Sequence, residues 1–321
     1  MTHSPDTEPR VTDDNGQTPD ADYRQENDYQ DDLTISGKDA SAYVLADDTK
    51  PTYSLGPDSE RQPGTPQGTL TKGRHTGRSV YPGVERSYYL YVPAQYTPDK
   101  PAALAIFQDA NLYLAPKASA DIVLDNLINK GEIPVTVAIF IEAGEQGPGY
   151  PHFGGTDNRS IEYDSINGDY ARFLTDEFLP DAIGHLNVST VPRDRVLVGI
   201  SSGGNCAFTA AWARPDVFGN VISHCGSFIN IRGGHNHPSA IRQNPRKPIR
   251  VWLQTGARDL DVIFGSIPIA NHDMFAALEY RRYDAKFVYG EGGHSLLHGG
   301  AVLPETLRWI FRDHPDTADA Q

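Results

Sequence analysis

Short unbroken apolar runs recur along the chain, separated by longer amphipathic stretches. Residues 86–92 (RSYYLYV) are aromatic and β-prone, and 102–107 (AALAIF), 135–141 (VTVAIFI), 195–200 (RVLVGI) and 249–254 (IRVWLQ) are continuous hydrophobic segments; 219–223 and 286–289 repeat the pattern more weakly. Runs of this length without polar alternation predict strands buried on both faces, as a parallel sheet covered by helices requires. Between them, 119–130, 166–184, 204–213, 271–281 and 301–312 carry helical patterning. Strands alternating with helices predict an α/β fold, doubly wound, with a mostly parallel central sheet and helices on both faces.

The pattern fades at both ends. Residues 53–66 (YSLGPDSERQPGTP) are rich in Pro, Gly and Ser and read as an irregular lead-in. Residues 1–50 hold thirteen acids against four bases, so they carry −9 of the chain's net charge of −14. So acidic and apolar-poor a segment does not bury enough surface to offset its ordering entropy. Residues 1–40 are therefore expected to be a disordered tail, 41–315 the folded α/β domain and 316–321 a C-terminal tail. The remaining −5 argues against nucleic acid as a partner. With no transmembrane run and no signal-like N-terminus, the expectation is a cytoplasmic protein without a membrane partner. Cys206 and Cys225 are too few for a disulfide framework and read as buried thiols.

The chemistry concentrates where a strand pattern meets a helix pattern. In VLVGISSGGNCAFTAAWA, Gly199-Ile200-Ser201-Ser202-Gly203 falls between the two. A GxSxG in that position predicts a nucleophile elbow, with Ser201 at the carboxyl end of the sheet and the Ser202 N–H available to an oxyanion. The second donor is expected from the loop after an early strand, IFQDANLY, as the N–H of Asp109 or Ala110; Asp109 reads equally as a buried hydrogen-bond acceptor. Downstream, TGARDLD offers Asp259, preferred as the acid, with Asp261 as the alternative. GEGGHSLLHGG offers His294 as the base; His298 and His272 read as structural.

Two further stretches are candidates for substrate contact. Arg159 and Glu162 stand in the glycine-rich stretch 147–164, where pairing or helix capping is the competing reading, and Arg232 and His235 stand in NIRGGHNHP. His235 and His237 are spaced i, i+2 without a third ligand of matching spacing, so no metal is expected. The apolar loops 110–120 and 260–270 suit a partly hydrophobic or aromatic acyl pocket, and read equally as packing on each other or on a second subunit, in which case the protein is a homodimer.

YVPAQY (91–96), FQDA (107–110), VLDNLINKGEIPVTVAIFI (123–141), NRSIEYD (158–164), GISSGGNCAF (199–208), GSFINIRGG (226–234), LQTGARDLD (253–261) and GGHSLLHGG (292–300) together resemble the enterochelin esterase-like, esterase D-related branch of the α/β hydrolases. The resemblance runs from about Tyr53 to Asp313. It implies an α/β-hydrolase fold and a serine esterase that cleaves small-molecule carboxylic esters without a cofactor, with Ser201, Asp259 or Asp261, and His294 at the matching positions. Ala110, where the group often has glycine, and Ser295-Leu296-Leu297, in place of a more polar stretch, depart from the pattern. An acyltransferase using the same residues and a non-catalytic binding protein that keeps the fold are the alternatives.

Overall fold

The apolar runs become the inner strands of one sheet. The computed structural model describes residues 53–144 and 158–320; the acidic stretch 1–40 and the glycine-rich residues before Asn158 lie outside the described residues. The strands are β1 (Thr69–Thr76), β2 (Glu85–Val92), β3 (Ala103–Gln108), β4 (Thr136–Ile141), β5 (Arg195–Ile200), β6 (Asn220–His224), β7 (Arg250–Gly256), β8 (Asp261–Val262), β9 (Gly265–Ser266) and β10 (Asp284–Gly290). Eight of them form one sheet in the order β1-β2-β4-β3-β5-β6-β7-β10, and β8 and β9 make a separate hairpin. β2 runs antiparallel to both neighbours and the rest of the sheet is parallel. This is the α/β-hydrolase fold.

The helices are α1 (Ala110–Leu114), α2 (Ala120–Asn129), α3 (Asn158–Asp164), α4 (Asp169–Arg172), α5 (Leu179–Ile183), α6 (Ser202–Ala213), α7 (His237–Gln243), α8 (Ile267–Tyr280) and α9 (Leu296–Phe311). Along β3, Leu104 and Ile106 enter one core with Phe173, Phe208 and Leu278, while Ala103, Ala105 and Phe107 enter the other with Leu124, Leu127 and Leu307. Alternate residues of an unbroken apolar run thus serve opposite faces, which is why the run carries no polar positions. None of the helices in the described residues is long and apolar enough to cross a membrane.

Several elements depart from the sequence reading, each for a local reason. β1 (TLTKGRHT) carries no apolar run because it is an exposed edge strand, paired only to β2. The single helix expected over 166–184 is α4 and α5 joined through π-helical turns at Phe173–Phe178. α9 starts at Leu296, five residues ahead of the helix expected over 301–312, inside a glycine-rich stretch. A Cβ on Gly300 would stand 1.9 Å from the Lys117 carbonyl oxygen, so the glycines here let a helix approach its neighbours rather than break it. The last described residues, Pro315–Ala320, form a 3-10 helix whose Thr317 hydroxyl donates to the His314 carbonyl at 2.8 Å.

Two imidazoles are sealed in this packing. His224 ends β6 beside the Tyr113 hydroxyl at 2.9 Å, and His237 lies against Phe208 and Phe228 with the Thr209 hydroxyl 2.9 Å from Nε2. Burial pushes both down, from 6.5 to about 3, helped for His224 by His298. Between those values the unfolded chain binds more protons than the folded one. Stability is therefore complete above pH 6.5 and is lost as pH falls toward 3, by roughly 1.4 kcal/mol per pH unit for each histidine. Guanidinium chloride unfolding between pH 7 and 4.5 should give a shallower pH slope for His237→Gln than for the parent. Identical slopes would show that His237 is not buried neutral.

Candidate active site

The site is assembled at the carboxyl ends of the strands, where three residues take left-handed or otherwise positive-φ conformations. Asp109 follows β3 with φ 62°, Ser201 follows β5 with φ 58°, and Cys225 follows β6 with φ 47°. Such backbone is costly for non-glycine residues and persists only where surrounding structure enforces it. At Ser201 the enforcement is visible: its N–H donates to the His224 carbonyl at 2.9 Å, and its own carbonyl accepts from the N–H groups of Gly204, Asn205 and Ser227 at 3.0–3.1 Å. The flanking glycine at 199 is required by contact, since a Cβ there would stand 2.1 Å from the Gly203 carbonyl oxygen. The turn lifts the Ser201 hydroxyl clear of the sheet at the N-terminus of α6.

Ser201, His294 and Asp259 form one hydrogen-bonded chain. The Ser201 Oγ lies 2.9 Å from His294 Nε2, and His294 Nδ1 lies 2.6 Å from Asp259 Oδ1. The two supporting loops are laced together: Ala257 N–H donates to the Gly290 carbonyl at 2.9 Å and Arg258 N–H to the Gly292 carbonyl at 3.0 Å. Asp259 is buried, and its carboxylate also accepts from the Thr255 hydroxyl at 2.5 Å and the Leu260 N–H at 2.8 Å. Burial works to raise this carboxyl, but the attraction of His294 and the three hydrogen bonds outweigh it and hold it below the usual carboxylate range. Asp261 stands exposed in the β8 hairpin strand, so of the two acids it is Asp259 that meets His294.

The expected oxyanion donors sit at helix starts. Ser202 opens α6 and Ala110 opens α1, where N–H groups have no intrahelical acceptor, and Asp109 is the residue that caps α1. A Cβ on Gly203 would come 2.8 Å from Asp109 Oδ2, which places the Asp109 carboxylate directly against the first turn of α6.

A family model described as "Putative esterase" matches residues 79–277, more than half of the chain. The chain belongs to the Putative esterase family. The matched part of this esterase-family chain holds Ser201 and Asp259, and His294 lies beyond it. The uncharacterized protein YbbA of Bacillus subtilis (strain 168) is 25% identical over 179 residues, 54% of this chain and 69% of YbbA. Among solved structures, the enterobactin esterase FES from Shigella flexneri superposes with a TM-score of 0.61 at 21% identity, covering 81% of this chain and 63% of that one. This chain thus spans less than two thirds of the FES chain. A ferulic acid esterase superposes with a TM-score of 0.62 at 16% identity, covering 77% of this chain and 99% of that one.

The other residues singled out in this esterase-family sequence lie outside the Ser201–His294–Asp259 chain. Glu162 is not a surface contact: it is buried, with its carboxylate against the equally buried Arg86 at 2.5 and 3.0 Å, and it also accepts from Asn158 Nδ2 at 2.9 Å and the Gly144 N–H at 3.3 Å. The expectation that it meets substrate is corrected, because both carboxylate oxygens are committed to buried partners, and removing one member of such a pair would leave the other as an uncompensated buried charge. Arg159 does not pair with Glu162 either; its guanidinium grips Asp109. Arg232 Nε donates to the Ser160 hydroxyl at 3.0 Å, which ties Arg232 to α3. His235 is exposed in a 3-10 turn while its neighbour His237 is buried, so the two histidines do not face one point. His298 is buried, stacked on Tyr53 at 4.1 Å and 3.1 Å from Gln254 Nε2. Cys206 and Cys225 are both buried and form no disulfide.

Ser227 escaped the sequence reading. Its Oγ lies 3.1 Å from Ser201 Oγ, and with the Ser201 proton committed to His294 the Ser227 hydroxyl is the donor. Its position in GSF, just past the end of β6 and on the strand next to the elbow, is the signal that locates it.

Proposed function

We propose that this protein is a serine hydrolase of small-molecule carboxylic esters that works through an acyl-enzyme on Ser201. The observation that carries the reading is the unbroken chain from Ser201 Oγ through His294 to the buried Asp259, set on a strained elbow. In that arrangement His294 Nε2 takes the hydroxyl proton as Oγ bonds to the ester carbonyl carbon, and Asp259 stabilises the imidazolium. The negative charge that develops on the carbonyl oxygen is met by the Ser202 N–H, by the N–H of Asp109 or Ala110, and by the positive end of α6. The proton then passes from His294 to the departing alkoxide as the C–O bond breaks, leaving acyl-Ser201 and free alcohol. A water activated by the same histidine releases the acid.

Membership in an esterase family and structural similarity to esterases named for enterobactin and ferulic acid support the reaction class. The test is a stopped-flow assay with p-nitrophenyl esters from acetate to octanoate. A burst of p-nitrophenol close to one equivalent per active protomer, before a slower steady rate, is expected for at least one ester whose deacylation is limiting. Absence of turnover across the series by folded protein would contradict the reading.

A further inference from the structure

The Asp109 carboxylate occupies a place where a negative charge is harmful to the proposed chemistry. It is buried at the end of β3, and a Cβ on Gly203 would stand 2.8 Å from its Oδ2, so it lies on the turn of α6 that begins with Ser202. An oxyanion held by the Ser202 N–H would form close to it, and like charges at short range in a poorly solvated site repel strongly. The carboxylate is nevertheless gripped by a planar fork: Arg159 Nε donates to Oδ1 and Nη2 to Oδ2, each at 3.0 Å. Two parallel bonds fix direction as well as charge.

Arg159 is itself fixed. It begins the second position of α3, its guanidinium lies over the Tyr163 ring at 5.4 Å, and α3 is tied to α6 by Asn205 Nδ2 donating to the Tyr163 carbonyl at 2.8 Å. Its side chain is partly exposed. Burial opposes its charge, but Asp109 and then Asp164 more than compensate, so it stays a permanent cation.

We propose that Arg159 is a positioning residue of the oxyanion hole, holding Asp109 so that the 109–110 backbone N–H groups face the reacting carbonyl and neutralising a carboxylate that would otherwise repel the oxyanion. The proposal rests on the reading of Ser201 as the nucleophile. It replaces the view of Arg159 as a substrate contact, and it explains why an αL position next to the hole is held by aspartate: the side chain is the handle by which α3 sets the peptide.

Charge compensation separates the two roles. With p-nitrophenyl butyrate as probe, Arg159→Gln should lower kcat about 100-fold, the size of losing one oxyanion donor, and leave KM within about twofold. The double variant Asp109→Asn/Arg159→Gln, which removes the stranded charge, should regain about tenfold of that loss. Arg159→Lys keeps the charge but not the fork and should fall between parent and Arg159→Gln, which decides the matter if the glutamine variant does not fold. A raised KM at unchanged kcat in Arg159→Gln, or a double variant no faster than the single one, would overturn the positioning role while the parent's activity upholds Ser201. A parent that turns over no ester would overturn the Ser201 reading and this proposal with it.

Discussion

Replacing Ser201 by alanine should reduce kcat/KM for the best ester by about 10⁴-fold or more, with the unfolding transition shifted little. Removal of the nucleophile from a Ser-His-Asp set costs about as much as removal of all three members, because they act as a unit. The Ser201 side chain is small and its backbone is held by four main-chain hydrogen bonds that alanine keeps, so the elbow should survive the change. The neighbouring hydroxyl of Ser227, 3.1 Å from Ser201 Oγ, provides the internal control. If Ser201→Ala retained a tenth of parental activity, Ser227 or Ser202 would have to be considered as the attacking group.

The second large effect is expected at Asp259. Asp259→Asn preserves shape but presents an amide to His294 Nδ1, favouring the wrong imidazole tautomer and removing the anion that stabilises imidazolium. The change should lower kcat about 10³–10⁴-fold with KM nearly unchanged. Asp261→Asn, at an exposed position in the β8 hairpin strand, should stay within about twofold of the parent. The contrast is informative because the two acids are only two positions apart in the chain. An equal loss at both positions would place the functional acid elsewhere or show that the hairpin as a whole matters.

The sheet was legible because burial on both faces removes polar residues from β3, β4 and β5, leaving unbroken apolar runs. β1 was not, since an exposed edge strand of Thr, Lys, Arg and His has no reason to be apolar. The Ser201 and His294 positions could be read from glycines whose spacing a tight turn imposes, whereas the choice between Asp259 and Asp261 depends on which carboxylate the loop turns inward. Ion-pair partners were the hardest to read. Glu162 meets Arg86, and Arg159 meets Asp109, at separations of 76 and 50 residues, and no local pattern records a contact made across the fold. Ser227 is similar: a common residue in a common loop becomes significant only because β6 lies beside β5 in the sheet.

The most direct test of the central claim is intact-protein mass spectrometry after incubation with an aryl fluorophosphonate, followed by peptide mapping of the adduct. One adduct per chain is expected, on Ser201, lost in Ser201→Ala and strongly slowed in Asp259→Asn. Folded protein that remains unmodified, or that carries the adduct on Ser202 or Ser227, would contradict it.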